Sequence, residues 1–84
     1  MKKDNIKKAV YYYLKSRTAS YNVGQYLNKL SDITLLECTC HNNMLDNVTY
    51  YLTQNTFSNY YYELRFTSLG ITEHIHDGLQ DLIS

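Results

Sequence analysis

The stretch from Thr39 to Gly70 constrains this chain most, because its apolar period changes partway along. Over Cys40 to Gln54, Met44, Leu45, Val48, Tyr51 and Leu52 recur at helical spacing. That recurrence predicts one apolar helix face with Thr39 as N-cap. Asn42, Asn43, Asp46, Thr49, Tyr50 and Thr53 then form the outer face. Beyond it, Tyr60, Tyr62, Leu64 and Phe66 alternate with Tyr61, Glu63, Arg65 and Thr67, the period of a strand with one buried and one wet face. The expectation is a helix running directly into a short β-hairpin.

The flanking segments extend this reading. Asp4 is placed to cap a first helix to about Ser16, with Ile6, Val10, Tyr13 and Leu14 inward and Lys8, Tyr11, Tyr12 and Lys15 outward. Thr18 to Tyr21 is short and polar enough for a minimal extra strand. Asn22 and Gln25 have the form of a capping box, and Val23, Leu27 and Leu30 follow at one helical face, which predicts a second helix over Asn22 to Leu30. Residues 33 to 39 read as a helical turn leading into the third helix, or as its first part. Turn chemistry at Asn55, Thr56, Ser58 and Asn59 puts the hairpin tip near Ser58 and Asn59. After Gly70, Thr72 is expected to cap a last helix with Ile71, Ile75, Leu79 and Leu82 inward and the acidic Glu73, Asp77 and Asp81 outward.

The 84 residues suit one domain spanning 1 to 84. Leu, Ile, Val and Phe make up about a quarter of the chain, above the range of disordered segments. Ten tyrosines and no tryptophan mean that much of the aromatic surface carries a hydroxyl, and some of it must face water or a partner. The formal charge is zero, yet it is partitioned. Lys2, Lys3, Lys7, Lys8, Lys15, Arg17 and Lys29 face only Asp4 in the first 30 residues. Thereafter Arg65 stands alone against Asp32, Glu37, Asp46, Glu63, Glu73, Asp77 and Asp81. A chain so divided offers a basic surface at one end and an acidic one at the other.

No apolar run is long enough for a bilayer or a signal peptide, so a cytoplasmic protein is expected. Cys38 and Cys40, two residues apart, are poorly spaced for an unstrained disulfide and fit a reducing compartment. Cys38, Cys40, His41, His74 and His76 lack the spacing of a zinc finger or ribbon, and no Cys–His pair lies in an electropositive niche. Neither a metal, a cofactor nor catalysis is expected. Abundant Asn, Lys, Tyr and Ile suggest an AT-rich source such as a bacterium or its mobile elements.

The order helix, helix, helix, hairpin, helix resembles the winged helix-turn-helix superfamily, and Phe66-Thr67-Ser68-Leu69-Gly70-Ile71 looks like the strand end after the wing in small bacterial members. The fold class this implies is α+β: three helices, a short β-hairpin wing and a C-terminal helix. By position, the resemblance assigns base reading to Asn42, Asn43, Asp46, Thr49 and Tyr50 on the third helix, and a backbone contact to Arg65 on the wing. Lys7, Lys8, Lys15 and Lys29 would supply phosphate contacts. The expected function is a transcriptional regulator bound to double-stranded DNA, with a homodimer through the C-terminal helix. The alternative is a phage- or plasmid-encoded module that binds and inhibits a host or defence enzyme through exposed Tyr11, Tyr12, Tyr50 and Tyr61.

Overall fold

The computed structural model describes residues 2–17, 22–54 and 59–83. The order is helix α1 (Lys3–Ser16), two short 3-10 helices (Val23–Tyr26 and Leu30–Asp32), strands β1 (Ile33–His41), β2 (Met44–Leu52), β3 (Tyr60–Thr67) and β4 (Gly70–Asp77), and helix α2 (Leu79–Ile83). The strands form one antiparallel sheet in the order β1-β2-β3-β4. The chain divides into two compact units, Met1–Ile33 and Thr34–Ser84. Among the described residues, no helix is long and apolar enough to cross a membrane.

In the first unit α1 matches the apolar period closely: Ile6, Val10 and Leu14 are buried, and Tyr13 is half-buried at the edge of that stripe. Its N-cap is Lys2 rather than Asp4, which lies in the first turn and there complements the helix dipole. Asn22 closes the other end. Its side-chain amide donates to the carbonyls of Leu14 at 3.0 Å and Arg17 at 2.9 Å, while its Oδ1 accepts from Gly24 N–H at 2.9 Å. One residue thereby pairs C-terminal carbonyls that α1 cannot satisfy internally and starts the next turn. Lys15 Nζ adds a bond to Leu27 O at 2.9 Å. The expected second helix, Asn22 to Leu30, is only the 3-10 turn Val23–Tyr26. Leu27 is extended, and the next turn starts only at Leu30. Buried Asp32 holds that second turn by accepting from Asn28 N–H at 2.8 Å and Lys29 N–H at 3.1 Å. The Asn28 bond, then that of Lys29, keeps its carboxyl below the ordinary aspartate range against the opposing effect of burial.

The second unit overturns the winged-helix expectation. In place of a third helix over Cys40 to Gln54 there is a hairpin, β1 and β2, and residues 33 to 39 are strand rather than helical turn. Asn42 and Asn43, with φ of 52° and 62°, form its two-residue turn, the left-handed pair that matches strand twist in a type I′ turn. Val48 and Leu52, four apart, satisfy a helical turn and two strand repeats equally well. Tyr50 decides between them, because it is 1% exposed where a helix would turn it outward, whereas Met44, an expected core residue, is 72% exposed. The long C-terminal helix fails for the same reason. Ile71 and Ile75 are also four apart, but Gly70–Asp77 pairs with β3 from Thr67↔Gly70 to Tyr60↔Asp77. Only Leu79–Ile83 is helical, and the expected inward Ile75 and Leu82 are exposed.

The strand expected over Tyr60 to Thr67 is β3, which is central rather than part of a wing. Its turn to β4 is Ser68-Leu69, followed by Gly70 at φ 130°, a left-handed backbone that lets strand pairing resume. Of the residues expected at a hairpin tip, Asn59 directly precedes β3 and Ser58 lies outside the described residues, as does the minimal strand expected at 18 to 21. Among the described residues of this unit, the buried side chains are Val48, Tyr50, Leu52, Leu64 and Leu79. Tyr50 stacks on Tyr62 at 5.5 Å, a cross-strand pair in register.

Two positions test this backbone. A Cβ at Gly24 would lie 2.1 Å from the Leu14 carbonyl oxygen, so Gly24→Ala is expected to cost about 1–3 kcal/mol in urea denaturation, as overpacking against fixed backbone does. Asn43→Val places a β-branched residue at positive φ and is expected to lose about 1–2 kcal/mol, whereas Asn43→Gly should leave the urea midpoint unchanged or raised.

Candidate functional site

Strand alternation divides the β2-β3-β4 region into two faces. On the polar face stand Asn47 and Thr49 of β2, Tyr61, Glu63 and Arg65 of β3, and Thr72, His74 and His76 of β4. On the other stand Val48 and Tyr50, then Tyr62, Leu64 and Phe66, then Ile71, Glu73 and Ile75.

Glu63 is the hub of the polar face. Arg65, two residues along the same strand, binds it in bidentate fashion, with Nε to Oε2 and a terminal guanidinium nitrogen to Oε1, both at 3.0 Å. His76 Nε2 lies 2.8 Å from Oε1 and donates to it, and the Asn47 side-chain amide donates to Oε2. Four donors from three strands therefore meet one carboxylate whose side chain is 12% exposed. The Arg65 guanidinium, helped by His76 and Asn47 and opposed by desolvation, holds Glu63 down at about 2. Tyr61 stacks on His76 at 4.8 Å and 16°, and His74 lies beyond it with ring centres 6.4 Å apart. A carboxylate held this far below neutrality and already accepting four bonds is a poor proton acceptor, so the cluster acts as a cross-strand clamp rather than as general acid–base machinery. Among the described residues, no group of three His, Cys, Asp or Glu side chains is arranged to hold a metal ion.

The other chemically distinctive surface is β4, which with β1 is one of the two outer strands of the sheet. On one face it alternates Ile71, Glu73, Ile75 and Asp77, with Ile75 56% exposed. Ile71 stands opposite Phe66 and Ile75 opposite Tyr62, so the apolar side chains continue from the sheet interior to its rim. Exposed Leu69 lies at the turn before β4, and exposed Leu82 and Ile83 lie in the helix after it.

The residues expected to read DNA are dispersed by this fold. Asn42 and Asn43 are turn residues, Asp46 and Thr49 lie on β2, and Tyr50 is buried against Tyr62, so no recognition helix unites them. Arg65 is committed to Glu63. Lys7, Lys8 and Lys15 lie on α1, and Lys29 precedes the second 3-10 turn, all in the first unit. Of the tyrosines expected at a protein interface, Tyr12 is exposed, Tyr11 packs edge-on against it, and Tyr61 is half-buried on His76. The helical assignment hid Asn47 and His76 as partners of Glu63, and with them His74, whose ring lies beside that of His76. The legible signal was the alternation Thr72, His74, His76 across Gly70 from Glu63, Arg65 and Thr67.

The clamp makes stability pH-dependent with a definite sign. A carboxyl whose folded value is about 2, against an ordinary 4.5, stabilises the fold fully above 4.5 and loses that contribution as pH falls toward 2. Melting temperature is expected to drop across this window, and Glu63→Gln should flatten the drop. No protein-family model, curated protein or solved structure matches this chain.

Proposed function

We propose that the chain is a small protein-binding module that acts by covering a surface of another protein, as an inhibitor or adaptor in the cytoplasm. The observation that carries this reading is the exposure of Ile71 and Ile75 on an outer strand, with Leu69, Leu82 and Ile83 exposed on the segments that flank it. Large apolar side chains concentrated at one rim and interspersed with carboxylates have the composition of an interface. Cys38 and Cys40, not joined in a disulfide, support a reducing compartment. The engagement of Glu63 by four donors supports a rigid scaffold for that rim rather than a reaction centre.

A second reading, nucleic-acid binding, rests on a different surface. Lys8, Tyr12 and Lys15 are exposed down one side of α1, where lysines and a tyrosine ring suit a phosphate backbone. It needs no recognition helix and predicts binding without sequence preference.

The two readings separate in one set of experiments. Purified chain is cross-linked in a bacterial lysate and the linked residues are mapped, with Ile75→Glu, a substitution at an exposed position, as the comparison. A partner held in stoichiometric amount through residues 69 to 83 and lost with Ile75→Glu is the expected result. Fluorescence anisotropy on duplex DNA across a salt series supplies the contrary outcome. Affinity falling with a log-log slope of about −0.9 per phosphate, weakened by Lys8→Glu and untouched by Ile75→Glu, overturns the protein-binding reading.

A further inference from the structure

We infer that His74 and His76 form a two-imidazole site for a late first-row divalent metal ion such as Zn(II), and that Glu63 prepares it by orienting the His76 ring. The inference goes beyond the protein-binding reading and does not rest on it. The clamp leaves one histidine unused. His74 stands directly opposite Glu63 in the β3–β4 register, yet His76, two positions along β4, is the ring that binds the carboxylate. His74 Nε2 instead lies 3.3 Å from the Thr72 hydroxyl. Residues two apart on a strand share a face, so both rings belong to the polar face, where each is half-buried and open to water on its remaining side. Their centres are 6.4 Å apart, with 29° between the ring planes.

The His76 ring is held as a metal-bound imidazole is held. Its Nε2 donates to Glu63 Oε1 at 2.8 Å, and a neutral imidazole with one nitrogen protonated carries its lone pair on the other, here Nδ1. Tyr61 stacks on the ring at 4.8 Å and 16°, which fixes its plane. A carboxylate behind the histidine sets the tautomer and raises the basicity of the free nitrogen, the usual support of a metal-ligating imidazole. The Thr72 hydroxyl both donates and accepts, so it leaves the tautomer of His74 open. With metal–nitrogen bonds of about 2.0–2.1 Å, a tetrahedral ion shared by two imidazoles has its ring centres about 5 Å apart. His74 closes the difference by turning toward His76 and giving up Thr72, and water completes the coordination.

The donor set selects the metal. Glu63 already accepts four bonds, and Arg65, the cation beside the site, is neutralised by it. Glu73 and Asp77 stand on the opposite face of β4. A hard cation that requires several carboxylate oxygens finds none open among these three, whereas paired imidazoles suit Zn(II), Ni(II) or Cu(II). Cys38 and Cys40 of β1 are the competing ligands for such an ion, so the test must separate them from the histidines.

The probe is Zn(II) chloride alone, titrated into the reduced, ¹⁵N-labelled full chain, with the imidazole nitrogens followed in long-range ¹H–¹⁵N spectra. Saturation at one metal per chain is expected, with shifts at His76 Nδ1 and at one His74 nitrogen while His76 Nε2 keeps its proton. His74→Ala, a change outside the clamp, should weaken Zn(II) by about tenfold or more and leave the amide shifts of β2 and β3 in place. The Cys38→Ser, Cys40→Ser double variant and His41→Asn should bind as the unchanged chain does. Undiminished affinity in His74→Ala, metallation of His76 at Nε2, loss of binding in the cysteine variant, or an equal response to Mg(II) would each overturn the inference. The absence of any saturable shift at the two rings would do the same.

Discussion

β3 is paired along both of its edges, and that constraint organises the whole second unit. A strand with neighbours on both sides can present side chains only above and below the sheet, so alternation must sort Tyr60 to Thr67 into two sets. One set, with Leu64 fully buried and Tyr62 stacked on Tyr50, removes apolar area from water. The other puts Glu63 where β2 and β4 both reach it. Asn47 and His76 are each two positions from direct registration with Glu63, within the diagonal reach of long side chains, and Arg65 arrives from its own strand. Apolar packing fixes the register from one side and a saturated carboxylate fixes it from the other. A slip of one residue would exchange the two sets, leaving Leu64 in the place of a carboxylate and Glu63 in the apolar layer, so both faces penalise the same error.

The parts of the fold that were legible in the sequence are those where only one period fits. In α1, Ile6, Val10 and Leu14 are spaced four apart within a window that has no alternation, and the stripe and both ends were readable to within a residue or two. In β3, strict alternation over eight residues left no helical reading. Elsewhere the apolar residues sit four apart, which is one helical turn and also two strand repeats. Met44, Val48 and Leu52 share this ambiguity with Ile71, Ile75 and Leu79, and both segments went to the wrong period. The tie-breakers were local. Tyr50 and Tyr51 beside Val48 and Thr49 form a β-branched and aromatic run that favours a pleated surface, and Asn42-Asn43 is a pair suited to positive φ. Both outweigh a capping threonine at the supposed helix start. The Glu63 clamp was illegible for a further reason, since its partners are set by register between strands and only one of those strands had been recognised.

The charge partition acquires physical meaning once the units are known. Every Lys and Arg except Arg65 lies within Met1–Ile33, and the acidic excess of the remainder falls within Thr34–Ser84. Within the acidic unit the charges are not interchangeable. Glu63 is internal to the sheet and its charge is spent on Arg65, His76 and Asn47, so it contributes little field outside. Asp77 is held by Asn59 at 2.7 Å and by the Gly78 N–H at 2.8 Å, which fixes the carboxylate at the strand end where α2 begins. A carboxylate fixed in this way has less side-chain entropy to lose when it meets a cation.

An outer strand with isoleucines at its rim would ordinarily be a hazard, because exposed β-edges recruit further strands. Natural sheets blunt such edges with charge, and Glu73 and Asp77, interleaved with Ile71 and Ile75, have that form. Charge of one sign is not a neutral barrier, however. It raises the free energy of pairing with a like-charged strand and lowers it for a strand of opposite charge, so the residues that discourage self-association also select the partner. Lysines at these two positions would protect the edge equally well against copies of the chain while inverting that selection. The sign of the charge, rather than its presence, is therefore the feature of β4 that edge protection alone leaves unexplained.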